Sequence, residues 1–138
     1  MYGFSTRFAG TFDEAVARVT EALATEGFGV LSEINVSATL KKKLDVDTPR
    51  YLILGACNPA LAHQAIGAEP DIGLLLPCNV VVREGAGGEI VVAFMDPVAV
   101  LGLVDNPRVG EVGAKVRAKM QRVCDALGAA PVSQGQTA

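Results

Sequence analysis

Cys57, His63 and Cys78 stand nearest to chemistry in this sequence. Two of the three cysteines and the only histidine lie between two apolar runs, Leu52–Leu54 and Val80–Val82. Each of the two cysteines is followed by asparagine, as Cys57-Asn58 and Cys78-Asn79, and Pro70 and Pro77 break the segment between them. Thiolate and imidazole groups bind metals such as zinc, and a cysteine beside a histidine can act as a nucleophile with its general base. Asn58-Pro59 reads as a helix start, with Asn as cap and Pro in the first helical position. Cys57 would therefore stand at the positive end of that helix, where a thiolate is favoured.

Two constellations follow. In the first, Cys57 is a nucleophile, His63, about one turn further on, is its base, and Asp96 is the carboxylate that orients the base. In the second, Cys57, His63 and Cys78 hold a metal, although their spacing lacks the paired C-x-x-C ligands of the common zinc sites. A small-molecule site would use Cys57, Asn58, His63, Cys78 and Asn79; no cofactor is named by these residues. The competing reading is structural. The cysteines are then small apolar residues at strand ends, His63 is a half-exposed helix residue, Asn58 and Asp96 are only helix caps, and Asn79 bonds to a backbone bend beside Pro77. Cys124 and the pair Met95 and Met120 are expected in the core.

Positioning such groups takes a folded scaffold, and the composition supports one. At 138 residues the chain suits one domain, placed at residues 1–130, with the small polar residues 131–138 as a disordered tail. A net charge of −3, few aromatics and no tryptophan speak against nucleic-acid binding. No apolar run reaches the roughly 18 residues of a membrane span. The opening Met1-Tyr2-Gly3-Phe4 has no basic stretch followed by an apolar one, so the expected compartment is the cytoplasm, with reduced thiols rather than a disulfide framework and a Cys57–Cys78 disulfide left to an oxidised sample.

Residues 2–8 alternate as a first strand. Thr11 and Glu14 form a capping box for a helix whose stripe is Phe12, Ala15, Val16, Val19 and Leu23, ended by Gly27. A second strand is predicted over Phe28–Ser37, with Phe28, Val30, Ile34 and Val36 as its β-rich core. Ala38–Val46, with Lys41-Lys42-Lys43, is a short helical or looped connection with a solvated basic edge. Tyr51–Ala56 is the third strand, a short helix follows Asn58, and Asp71–Leu76 is a strand or an extended loop. Cys78–Arg83 and Glu89–Met95 form a hairpin around Glu84–Gly88. Asp96-Pro97 starts a short apolar turn, and Asn106-Pro107 opens a long helix with the stripe Val109, Val112, Val116, Met120, Val123 and Leu127, ended by Gly128. Strand, helix, four strands, helix predicts an α+β fold: a mainly antiparallel sheet covered on one face by two helices.

The segments Gly27-Phe28-Gly29-Val30-Leu31-Ser32-Glu33-Ile34, Leu54-Gly55-Ala56-Cys57-Asn58-Pro59, Gly73-Leu74-Leu75-Leu76-Pro77-Cys78-Asn79-Val80 and Asp96-Pro97-Val98 resemble, in order, the signature blocks of the domain-of-unknown-function family 302. The resemblance covers about residues 2–127. It implies a bacterial or archaeal chain with a curved β-α-β4-α sheet fold of the TATA-binding-protein class, assembled as a homodimer. It implies no reaction and no DNA binding, since function resides in the site and not in the fold. Three functions stay open: a small-molecule or metal binding or sensing module, a thiol-dependent enzyme, and a structural dimer without a site. The apolar stretch Val98–Val104 fits an interface.

Overall fold

Side-chain caps fix where the helices of this chain begin. In the computed structural model, which describes residues 1–129, Thr11 Oγ1 accepts a hydrogen bond from the Glu14 amide at 3.1 Å, and Glu14 Oε1 accepts one from the Thr11 amide at 2.8 Å. That reciprocal pair opens the first helix. In chain order the elements are β1 (Gly3–Phe8), α1 (Phe12–Thr25), β2 (Gly29–Asn35), α2 (Val36–Leu44), β3 (Tyr51–Cys57), α3 (Pro59–Ala68), a 3-10 helix (Pro70–Leu75), β4 (Cys78–Glu84), β5 (Ile90–Met95), α4 (Pro97–Leu101) and α5 (Pro107–Ala129). Asn58, Asp96 and Asn106 each accept a backbone hydrogen bond at the start of α3, α4 and α5. Gly27, at φ +84°, closes α1 as predicted, and the Gly27 and Phe28 amides return to the carbonyls of Ala24 and Leu23.

The five strands form one open sheet in the order β1-β5-β4-β3-β2, with every neighbouring pair antiparallel. Strand side chains alternate between faces. Leu52, Leu54, Val80, Val82, Val92 and Phe94 belong to one buried cluster with Val19 and Leu23 of α1 and Val109, Met120 and Leu127 of α5. The whole predicted stripe of α5 is buried, and so is Cys124. The α+β fold with two long helices on one sheet face is thus the one expected. Among the described residues, no helix is long and apolar enough to cross a membrane.

Four expectations are corrected. The second strand stops at Asn35, because the Asn35 side chain accepts from the Ala38 amide at 2.9 Å and so caps α2, drawing Val36 and Ser37 into that helix. This strand is an edge, and Ile34 is 51% exposed rather than a core residue. Residues 70–75 form a 3-10 helix, not a strand or extended loop, since the Ile72 amide turns back to the Glu69 carbonyl at 3.0 Å and Ile72 is buried. Gly128 lies inside α5 instead of ending it. A Cβ there would come within 2.5 Å of Thr6 Oγ1, so its missing side chain lets α5 seat on β1. The predicted tail lies outside the described residues.

Leu54 and Leu31 sit on adjoining strands but differ completely in burial, at 0% and 71% exposed. Denaturant unfolding should show Leu54→Ala costing about 2–5 kcal/mol through transfer and cavity effects. Leu31→Ala should stay within about 0.5 kcal/mol of the parent chain.

Candidate functional site

Strand β3 ends in Cys57 and β4 begins in Cys78, and the register pairs Ala56 with Cys78. Cys57 therefore stands one register step from Cys78 across adjoining strands. With Phe28, Leu61, Pro77 and Leu101 they border a small crevice of about 40 Å³. All three cysteines are free. Cys78 is buried beside Ala56, and that burial, with a smaller contribution from the neighbouring Cys57, pushes its thiol up to about 11. Burial thus favours the protonated thiol at Cys78 over the thiolate.

The other predicted partners are elsewhere. Helix α3 buries Leu61 and Ala65, and two residues beyond Leu61 the helix has turned about 200°. His63 is consequently exposed, in a separate groove bordered by Gln64, Arg108, Glu111 and Lys115. Asp96 Oδ1 accepts from the Val98 amide at 2.9 Å and Oδ2 from Arg117 Nε at 3.2 Å, so its carboxylate is engaged by α4 and α5 rather than by His63. Asn58 Oδ1 caps α3 through the Leu61 amide at 3.3 Å, while its Nδ2 donates to the Glu26 carbonyl at 3.3 Å, fastening α3 to the end of α1. The Cys57–His63–Asp96 set is not assembled. Among the described residues, no group of three or more His, Cys, Asp or Glu side chains is placed to hold a metal ion; Cys57, His63 and Cys78 are no exception.

Asn79 leads to a different surface. It is exposed, one residue from Cys78 and hence on the opposite face of the sheet. There the register lines up Ile34, Ile53, Val81, Ala93 and Ser5, one residue from each strand, in a single row. The next row is Ser32, Gly55, Asn79, Met95 and Gly3. (Asn79 meets Met95 one step beyond the printed β4–β5 pair Val80 and Phe94.) A Cβ on Gly55 would fall 2.2 Å from Ser32 Oγ and 2.9 Å from Pro77 Cγ, so only glycine lets Pro77 and Ser32 lie against the sheet at that point. Tyr2, Ser5, Asn79, Val81, Met95 and Val100 border a cavity of about 710 Å³ on this face. Sequence reasoning missed the surface, yet a signal was present. Leu52-Ile53-Leu54, Val80-Val81-Val82 and Ile90-Val91-Val92-Ala93 are apolar at both parities, the pattern of strands covered on both faces.

Cys78 gives a test of this geometry through pH. Its folded value lies above the ordinary thiol value near 9, so the stability tied to its burial is complete below pH 9. Above that the unfolded chain releases the proton first, and stability is lost as pH rises towards about 11. Unfolding curves should show Cys78→Ala removing about 2–3 kcal/mol of that decline. An unchanged pH slope would place the thiol in water.

The fold has a close counterpart among solved structures. The crystal structure of an uncharacterized conserved DUF302 protein from Bacillus stearothermophilus superposes with a TM-score of 0.86 at 26% sequence identity, covering 92% of this chain and 98% of that one. No curated protein matches at a significant level. The family model of DUF302, a domain of unknown function, matches residues 4–127, nearly the entire described chain, in accord with the signature blocks read from the sequence. The chain belongs to the DUF302 family.

Proposed function

We propose that this chain is a binding module rather than a thiol-dependent enzyme, that its site is the open face of the sheet, and that its ligand is a small, mainly apolar molecule. One observation carries the reading: the row Ile34, Ile53, Val81 and Ala93 crosses four strands without a polar residue, and none of the four belongs to the buried cluster under the helices. Strands apolar on both faces belong to sheets sandwiched between two layers, and α1 and α5 supply one. The cavity of about 710 Å³ falls in the roughly 300–1,000 Å³ range of small-molecule pockets. Asn79 and Ser5 bring the few polar groups that orient a ligand in such a site. Of the two Cys-Asn motifs, Asn79 takes part directly, and Cys78 lies buried on the other face of the sheet. Free thiols suit a reducing compartment such as the cytoplasm.

Titration with decanol, followed by amide NMR, tests this reading. The amides of Val81, Ala93 and Met95 should shift with saturation, and Val81→Lys should abolish the shifts while leaving the thermal midpoint within a few degrees. Shifts confined to the helical face, or none at all, would remove the open face as the site.

A second reading, self-association into a homodimer, rests on a separate observation. Helix α2 buries none of its nine residues, and an isolated helix this short is marginal in water. Beside it β2 has one unpaired edge, and Leu31, Ile34, Leu44 and Val46 are exposed. An unpaired strand edge next to apolar side chains is a template for a second copy. Light scattering at high micromolar concentration should give twice the chain mass, and Leu31→Glu should halve it. A monomer mass for the parent chain at that concentration would end this reading.

A further inference from the structure

We propose that the ligand of the open face is an amphipathic monocarboxylate, its acid group held by Arg7 and Arg83 and its apolar body laid along the strands towards Met95 and Val100. The proposal rests on the reading of the open face as a binding site and adds to it the charge of the ligand.

Arg7 and Arg83 are both paired with Val91, from β1 on one side and β4 on the other. The three residues share the open face, by the same alternation that places Ala93 and Val81 there. With strands about 4.8 Å apart, the two arginine Cα atoms lie about 10 Å from each other. Side chains of that length converge readily over the valine between them. Val91 is only 8% exposed despite lying on the open face, as expected if the arginine stems cover it while their heads reach water. Among the described residues, the ion pairs engage Arg18, Lys41, Arg50, Arg117 and Arg122, and neither Arg7 nor Arg83. The site thus holds two guanidinium groups with donors to spare, beside an apolar platform, in a chain whose net charge is −3.

The surrounding charge selects the head group. Glu89 lies near enough to feel both arginines, yet its carboxylate is held by the Gly87 amide at 3.0 Å and pairs with neither. Two arginines less one glutamate leave one positive charge, which suits a monoanion better than a phosphate dianion. A carboxylate has two oxygens and about four acceptor sites, enough for the forked donors of both guanidinium groups. From Arg83 to Asn79 the strand advances about 13 Å. That run passes Val81 and enters the cavity bordered by Met95 and Val100, so a medium-length hydrocarbon body fits where the row of apolar residues lies.

The experiment compares decanoate with decanol, both below their aggregation limits, by amide NMR titration of the full chain. Both should shift Val81, Ala93 and Met95, and decanoate should bind about tenfold more tightly, the return of charge-assisted hydrogen bonds. The double variant Arg7→Met and Arg83→Met, which keeps an apolar stem over Val91, should remove that preference and leave decanol binding unchanged. Equal affinity for the two probes, or a preference that survives the double variant, overturns the monocarboxylate while the open face stands as a site. Absence of shifts with either probe overturns both. A preference for decyl phosphate over decanoate, lost in the double variant, also overturns it by assigning the arginines to a dianionic head.

Discussion

Helix α5 lays a stripe of six buried side chains, Val109, Val112, Val116, Met120, Val123 and Leu127, against the sheet and α1, and the other features of the molecule depend on that contact. Burying a side chain of this size contributes about 1.5–3 kcal/mol, so no single polar interaction in the chain competes with it. The seating needs β1 and α5 to come close, which Gly128 permits above Thr6. It also needs the helix to start in the right place. Asn106 does this by capping the first turn through the Arg108 amide while donating to the carbonyl of Ala68 and the carboxylate of Glu69, so the end of α3 and the beginning of α5 are fixed by one side chain. At the other end Arg122 grips Glu26 with two hydrogen bonds, at 2.8 and 3.1 Å.

Once α1 and α5 occupy one face, the polar residues with chemical potential are distributed by structural demand. Asn58 joins two helices, Asp96 caps one and bonds Arg117, and Cys78 goes under the helical layer where its thiol stays protonated. His63 follows from the same packing: α3 turns Leu61 and Ala65 inward, and a residue between them in the helical cycle has to face away. A catalytic set requires side chains to converge, and here the packing of short helices separates them.

The opposite face carries the reverse condition. Ile34, Ile53, Val81 and Ala93 stand in one row outside the buried cluster, and apolar area left in water forgoes about 25 cal/mol per Å². That exposed apolar area is what the proposed ligand would cover. Asn79, Ser5, Arg7 and Arg83 surround the row with donors, so the face joins an apolar floor to a polar border. Edge strand β2 and helix α2 add the exposed Leu31, Leu44 and Val46 at the boundary where the row ends in Ile34.

Local chemistry in the sequence determined a good part of the fold. The three Asx-Pro pairs set the starts of α3, α4 and α5, Thr11 and Glu14 set the start of α1, and the hairpin around Glu84–Gly88 and the stripe of α5 could be read from type and spacing, because each depends on neighbours within a few residues. The place of Cys57 at the end of β3 and of Cys78 at the start of β4 was legible for the same reason. Asn35 misled, since a cap and a strand residue look alike until the chain beyond it turns. What tertiary structure alone decided was which face each residue meets. Val81 and Val82 are equivalent in sequence, but a single layer of helices buries Val82 and leaves Val81 partly exposed, and the register across five strands gathers Ile34, Ile53, Val81, Ala93 and Ser5 from positions far apart in the chain. His63 likewise needed the direction in which α3 packs, a long-range consequence of where α5 lies, before its separation from Cys57 could be known.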